Sequence, residues 1–170
     1  RYVDDIYGYN FATNSGLISW TREGDLGHGT HVAGTIAAVN NNGVGIASIA
    51  GGSGNNDGVR LMSCQIFSGD DTANLRQTAR AIEYAADNGA CISNNSWGIE
   101  PDLGPAHDNY FTQYMTVEYE AFKYFMAKKN CDAVDGGVVI IAAGNESYPQ
   151  AGYPAAYNEF IAVTALASDG

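Results

Sequence analysis

The sequence predicts an α/β protein with a doubly wound, mostly parallel sheet and helices on both faces. Three observations carry that prediction. Strand-length apolar runs alternate along the chain with segments of helical periodicity, the order that builds parallel sheets. The runs Val138–Ala143 and Phe160–Ala165 read as strands buried on both faces, as parallel strands usually are. No repeat, low-complexity tract or linker interrupts the alternation, so residues 1–170 read as one unit.

In chain order, the aromatic-rich Ile6–Phe11 reads as a short first strand, and an amphipathic helix is expected from about His28 to Val39. A Gly/Asn loop, Gly51–Gly58, leads to a strand over Val59–Phe67. Leu75, Ala79, Ile82 and Ala86 recur at helical spacing, and Asn88-Gly89 supplies a C-terminal stop. Cys91–Trp97 reads as a further strand, followed by a polar, proline-bearing loop to about Gln113. Met115, Tyr119, Phe122 and Met126 mark one face of another helix, with Lys128 and Lys129 expected in its last turn, where cations suit the helix dipole.

Composition narrows the function. With 45% hydrophobic and 16% charged residues and 21 glycines, the chain is globular. A net charge of −11 with only 8 Lys and Arg argues against a nucleic-acid partner, because phosphate binding draws on clusters of those cations. No transmembrane run or signal peptide is visible, so no membrane partner is expected from these residues. Three cysteines, Cys64, Cys91 and Cys131, are too few for a disulfide framework. Cys64 and Cys91 fall in strand-like runs and read as buried thiols, and one disulfide stays open as an alternative.

The most informative stretch is Gly27-His28-Gly29-Thr30-His31-Val32-Ala33-Gly34-Thr35-Ile36-Ala37-Ala38. An imidazole held at a helix start beside a cleft can take a proton from a hydroxyl nucleophile and return it to a leaving amine. Taken alone, a histidine at a helix start is more often structural. A zinc reading of His28 and His31 lacks further ligands, since the remaining histidine, His107, has no supporting pattern. Ile140-Ile141-Ala142-Ala143-Gly144-Asn145-Glu146-Ser147 is an apolar strand ending in Gly-Asn, and its terminal amide could donate to charge developing on a carbonyl oxygen or simply make a turn.

Both runs resemble motifs of the subtilisin-like serine proteases, the subtilase superfamily. The likeness extends from Tyr7–Phe11 through Tyr153-Pro154-Ala155 to Ile161-Ala162-Val163. It implies that His28 is the general base, that His31 matters for helix packing, and that Asn145 is the oxyanion donor. Asn94-Asn95-Ser96-Trp97-Gly98 is similar to the family strand that pairs with extended peptide substrate. The resemblance makes Ser96, Trp97 and Gly98 one wall of the cleft and Ala142, Ala143 and Gly144 the other; Trp97 also reads as a core or rim aromatic. Val39–Ala47 is similar to the family's calcium loop, which would assign Val39, Asn42, Val44 and Ile46 as calcium ligands together with a carboxylate from upstream of Arg1.

The family's aspartate motif is expected upstream of Arg1 and its Gly-Thr-Ser-Met-like nucleophile motif beyond Gly170, so the fold is expected to be incomplete. Asp4, Asp5 and Asp25 end no apolar strand and do not substitute. The aspartate strand would lie between those of Leu61–Gln65 and Ala90–Asn94, leaving an unpaired edge on each. The resemblance implies a secreted or cell-envelope serine endopeptidase, with a peptide or protein substrate and the remainder of the protease domain as partners. The rival readings are a non-catalytic peptide-binding module and a calcium-dependent structural module on the same fold.

Overall fold

The structure, a computed structural model, describes residues 2–20, 23–99, 113, 115–147, 149 and 151–167. His107 and nearly all of the proline-bearing loop lie outside the described residues. The chain gathers into two compact units, Arg1–Gln77 and Thr78–Gly170. No helix among the described residues is long and apolar enough to cross a membrane.

In the N-terminal unit, β1 (Gly8–Asn10) pairs in parallel with β2 (Ser63–Gln65), with Tyr9 opposite Cys64. The pairing is close at Gly8, where a Cβ would stand 1.9 Å from the Ser63 carbonyl oxygen, so only glycine fits. Tyr9 and Phe11 are buried and stack edge-to-face, with ring centroids 5.1 Å apart. Asn10 is buried and satisfied: its Nδ2 donates to Ser68 Oγ at 3.2 Å, and its Oδ1 accepts the Thr13 N–H at 3.0 Å. The long strand expected over Val59–Phe67 is shorter: after Gln65, Phe67–Ser68 (β3) turns back as an antiparallel hairpin with Asp71–Thr72 (β4). Gly69, at φ 60°, makes the turn between them.

Helix α1 (His28–Ala37) begins where the sequence places it and ends before Val39. It contributes no buried residue, its apolar positions being half-buried at most. His31 is exposed, which removes the packing role implied for it. The helix is closed by returning chain: the Ile49 and Ala50 N–H groups donate to the Thr35 and Ile36 carbonyls at 3.1 and 2.8 Å, satisfying acceptors that a helix end leaves open.

The C-terminal unit holds the main core. Helix α2 (Leu75–Asp87) has the start and stop signals of a well-defined helix. Asn74 Oδ1 accepts the N–H groups of Arg76 and Gln77 at 3.0 and 3.1 Å, while Gln77 Oε1 reaches back to the Asn74 N–H at 2.8 Å. This is a capping box. At the other end Gly89 takes φ 92°, and the Ala90 N–H reaches the Ala85 carbonyl at 3.0 Å, the paired closure that the Asn-Gly signal predicts.

Strands β5 (Ile92–Asn95), β6 (Val138–Ala142) and β7 (Ile161–Val163) form a parallel sheet in the order β5-β6-β7. Helix α3 (Thr116–Ala127) packs on β6 and, with α2, buries Ala79, Ile82, Phe122, Phe125, Val139 and Ile141. The expectation of strands buried on both faces is corrected. β6 alternates, with Val139 and Ile141 buried, Val138 and Ile140 half-buried and Ala142 exposed, because the helices cover one face more fully. β7 is exposed throughout and is laddered on one side only among the described residues; Phe160, just before it, carries the burial at that end. β2 and β5 are each laddered on one side only among the described residues. The two lysines also differ from expectation. α3 ends at Ala127, Lys128 bonds Asp87 at 2.9 Å, and Lys129 pairs with Asp135 at 2.6 Å.

Glu118, on the first turn of α3, is 1% exposed, and its Oε2 has no hydrogen-bond partner among the described residues. Burial pushes its carboxyl up to about 7, against a smaller opposing contribution from its hydrogen bond with Thr78. The folded protein therefore holds a proton that the unfolded chain releases, so stability is lost as pH rises from about 4.5 towards 7. A shift of that size corresponds to about 3 kcal/mol. Melting temperature should fall across that interval, and Glu118→Gln should flatten the profile; an unchanged slope in that variant would contradict the assignment.

Candidate active-site cleft

The C-terminal end of a parallel strand is where ligands gather in an open α/β sheet. The chain leaves β6 through Ala143, Gly144 and Asn145, and leaves β5 through Ser96, Trp97 and Gly98. These segments and Ile99, Ala142, Glu146 and Gly152 line one cavity of about 160 Å³. All six residues assigned to the two walls, and Asn145, therefore meet in one cleft. Its volume falls below the roughly 300 Å³ at which small-molecule pockets begin, and suits a single side chain better than a cofactor.

Local hydrogen bonds hold each wall. The Ala143 N–H donates to the Val163 carbonyl at 2.9 Å, and the Gly152 N–H donates to the Ala143 carbonyl at 3.3 Å. On the facing wall, the Ile99 N–H donates to the Tyr153 carbonyl at 2.7 Å, and buried Asn95 reaches the Ile140 carbonyl through Nδ2 at 3.3 Å. Gly144 takes φ 111°, a conformation that favours glycine and swings Asn145 out of the strand line. The Asn145 backbone N–H is committed to Glu146 Oε2 at 2.7 Å. Its carboxamide is exposed and has no hydrogen-bond partner among the described residues, leaving an NH2 donor at the cleft. Trp97 serves two surfaces: it lines the cleft and stacks on Phe122, with ring centroids 6.5 Å apart and planes 22° apart.

Sequence reasoning missed Ile99, Glu146 and Gly152. Glu146 had a signal, being next to Asn145 with a carboxylate able to reach its N–H. Ile99 and Gly152 had none, because they arrive through the non-local Ile99–Tyr153 bridge.

His28 belongs to the N-terminal unit. Gly27 caps α1 at φ 64°, with open space where its Cβ would be, so the backbone angle rather than crowding favours glycine there. His28 is exposed on the first turn, and no group of three or more metal-binding side chains is found among the described residues.

The loop after α1 is shaped by left-handed residues and local hydrogen bonds. Asn41, Gly43 and Gly45 take φ 59°, 71° and 66° at alternate positions, and its base is tied by Ser48, whose Oγ donates to the Ala38 carbonyl at 2.6 Å. Asn42 Oδ1 already accepts the Val44 N–H at 3.0 Å. Val39, Asn42, Val44 and Ile46 offer only neutral oxygens, one from each residue, short of the roughly six to eight that calcium takes. These residues alone do not make a calcium site.

The family model described as "Subtilase family" matches residues 8–170. The thermophilic serine proteinase of a Bacillus species is 33% identical over 162 residues, covering 95% of this chain and 33% of that protein. Thermitase from Thermoactinomyces vulgaris is 32% identical over 158 residues, covering 93% of this chain and 46% of that protein. Subtilisin-like protease 1 of Plasmodium vivax is 32% identical over 132 residues, covering 76% and 18%. The chain spans between 18% and 47% of the length of such relatives. Its parallel strands and helices fit an incomplete α/β, subtilisin-like fold, and the match over nearly its whole length shows that the chain belongs to the subtilase family.

Proposed function

We propose that this chain supplies the histidine base, the oxyanion asparagine and part of the substrate cleft of a secreted serine endopeptidase that cleaves peptide bonds in proteins. The observation that carries this reading is the convergence of Asn145 with Ser96, Trp97, Gly98, Ala142, Ala143 and Gly144 on one small cleft at the ends of β5 and β6. An extended peptide laid along the segment after β5 would place a side chain in the cavity and a carbonyl oxygen near the Asn145 amide. As that carbon becomes tetrahedral, its oxygen gains charge, and a fixed amide donor then binds it more strongly than it binds the substrate. His28 would take the proton of a serine hydroxyl and pass it to the leaving amine. That serine and the aspartate orienting the imidazole are assigned to the remainder of the domain.

In a complete domain, His28→Ala should abolish nearly all turnover, and Asn145→Ala should lower kcat on the order of a hundred- to thousandfold with KM nearly unchanged. The second magnitude is the one known for subtilisin itself. A loss from Asn145→Ala confined to KM would mean that Asn145 binds ground-state substrate. This chain by itself should cleave no fluorogenic peptide, and cleavage abolished by His28→Ala would overturn that.

Trp97→Ala should both widen side-chain preference at the cleft and lower the melting temperature by a few degrees, because the indole faces the cavity and Phe122 together. Loss of stability with unchanged preference would leave it a core residue only. Calcium at Val39, Asn42, Val44 and Ile46 is proposed for the complete domain with a carboxylate from outside this chain. Calcium added to the chain alone should leave its melting temperature unchanged; a clear rise would show that the loop binds unaided.

A further inference from the structure

Cys91 and Cys131 lie far apart in sequence, one just before β5 and the other just after α3, yet the fold brings them together. Asn130 is the clamp: its Nδ2 donates to the Ala86 carbonyl at 2.7 Å and the Ala90 carbonyl at 2.9 Å, fixing the residue before Cys131 against the residue before Cys91. On its other side Cys91 is held by its carbonyl, which accepts the Val138 N–H at 2.9 Å, and its thiol approaches the Gly89 carbonyl at 3.7 Å. Both thiols are half-buried and unlinked, and they lie near enough for each to alter the other's acidity.

From this juxtaposition we infer that Cys91 and Cys131 are a dithiol–disulfide site, oxidised by small disulfides such as glutathione disulfide. The Cys91 thiol, and then the Ala133 N–H, favour the thiolate of Cys131 and hold it below the ordinary thiol range, whereas Cys91 is raised by the same contact. Cys131 is therefore the attacking sulfur. Its thiolate displaces one glutathione thiolate, forming a mixed disulfide. Cys91, deprotonated to solvent, then attacks the Cys131 sulfur and expels the second glutathione. Two protein thiols lose two electrons and two protons, and one glutathione disulfide becomes two glutathiones. The third cysteine stays out: burial pushes the Cys64 thiol up to about 12, and it sits in β2 of the other unit.

The new bond would tie the end of α3 to the start of β5 and close residues 92–130, which include Ser96, Trp97 and Gly98, into a covalent loop. Closing a loop of that length in the unfolded chain should raise the melting temperature on the order of 5–10 °C. The test equilibrates the purified protein with glutathione disulfide, blocks remaining thiols with iodoacetamide and maps the peptides by mass. A dominant Cys91–Cys131 peptide pair is expected, together with the higher melting temperature, and Cys64→Ala should retain both. Cys131→Ser should remove both while leaving the melting temperature of the reduced protein unchanged. Thiols that stay free, or a cross-link dominated by Cys64, would overturn the inference; the wild-type map alone decides this if a variant fails to fold.

Discussion

The two-sided hydrogen bonding of β6 is the constraint on which the C-terminal unit depends. Its backbone pairs with β5 along Ile92–Asn95 and with β7 along Ile161–Val163, so its groups are satisfied on both edges. Its alternation turns Val139 and Ile141 into the core beneath α2 and α3, and fully buried Ile141 fixes the height at which the strand ends. Because β5 is in register with β6, Asn95 lying opposite Ile141, the two strands end side by side. The cleft is the space left where both chains turn away.

Two kinds of polar group sit near that core, and they are handled differently. Asn95 is buried but reaches Ser93 and the Ile140 carbonyl, so it reinforces the sheet. Glu118 is buried with one oxygen unpartnered among the described residues, and burial raises its carboxyl to about 7. The Asn145 amide, by contrast, is exposed and has no hydrogen-bond partner among the described residues, so it carries no cost in buried polarity. Its backbone N–H is held by Glu146, which limits how the turn can move.

Much of this was legible in the chain itself. The periodicity of Leu75, Ala79, Ile82 and Ala86 and the Asn88-Gly89 stop located α2 because those signals are local, and the Gly27-His28 motif located the start of α1 for the same reason. The walls of the cleft were legible through motif likeness, each being one continuous segment at a strand end. Burial was less so. Val138–Ala143 and Phe160–Ala165 look equally apolar, but among the described residues one is paired on both sides and the other on one, which is decided by neighbours distant in sequence. The Cys91–Cys131 approach and the Ile99–Tyr153 bridge are likewise products of topology, visible only once the strands are placed.

The proposed function requires the ends of β5 and β6 in this chain to receive an extended peptide backbone. Amide hydrogen exchange measured with and without a short peptide that the complete domain cleaves tests it most directly. Slowed exchange is expected at Ser96, Trp97, Gly98 and Gly144, with the loop after α1 unaffected. Unchanged exchange at those four amides, with protection appearing elsewhere, would contradict it.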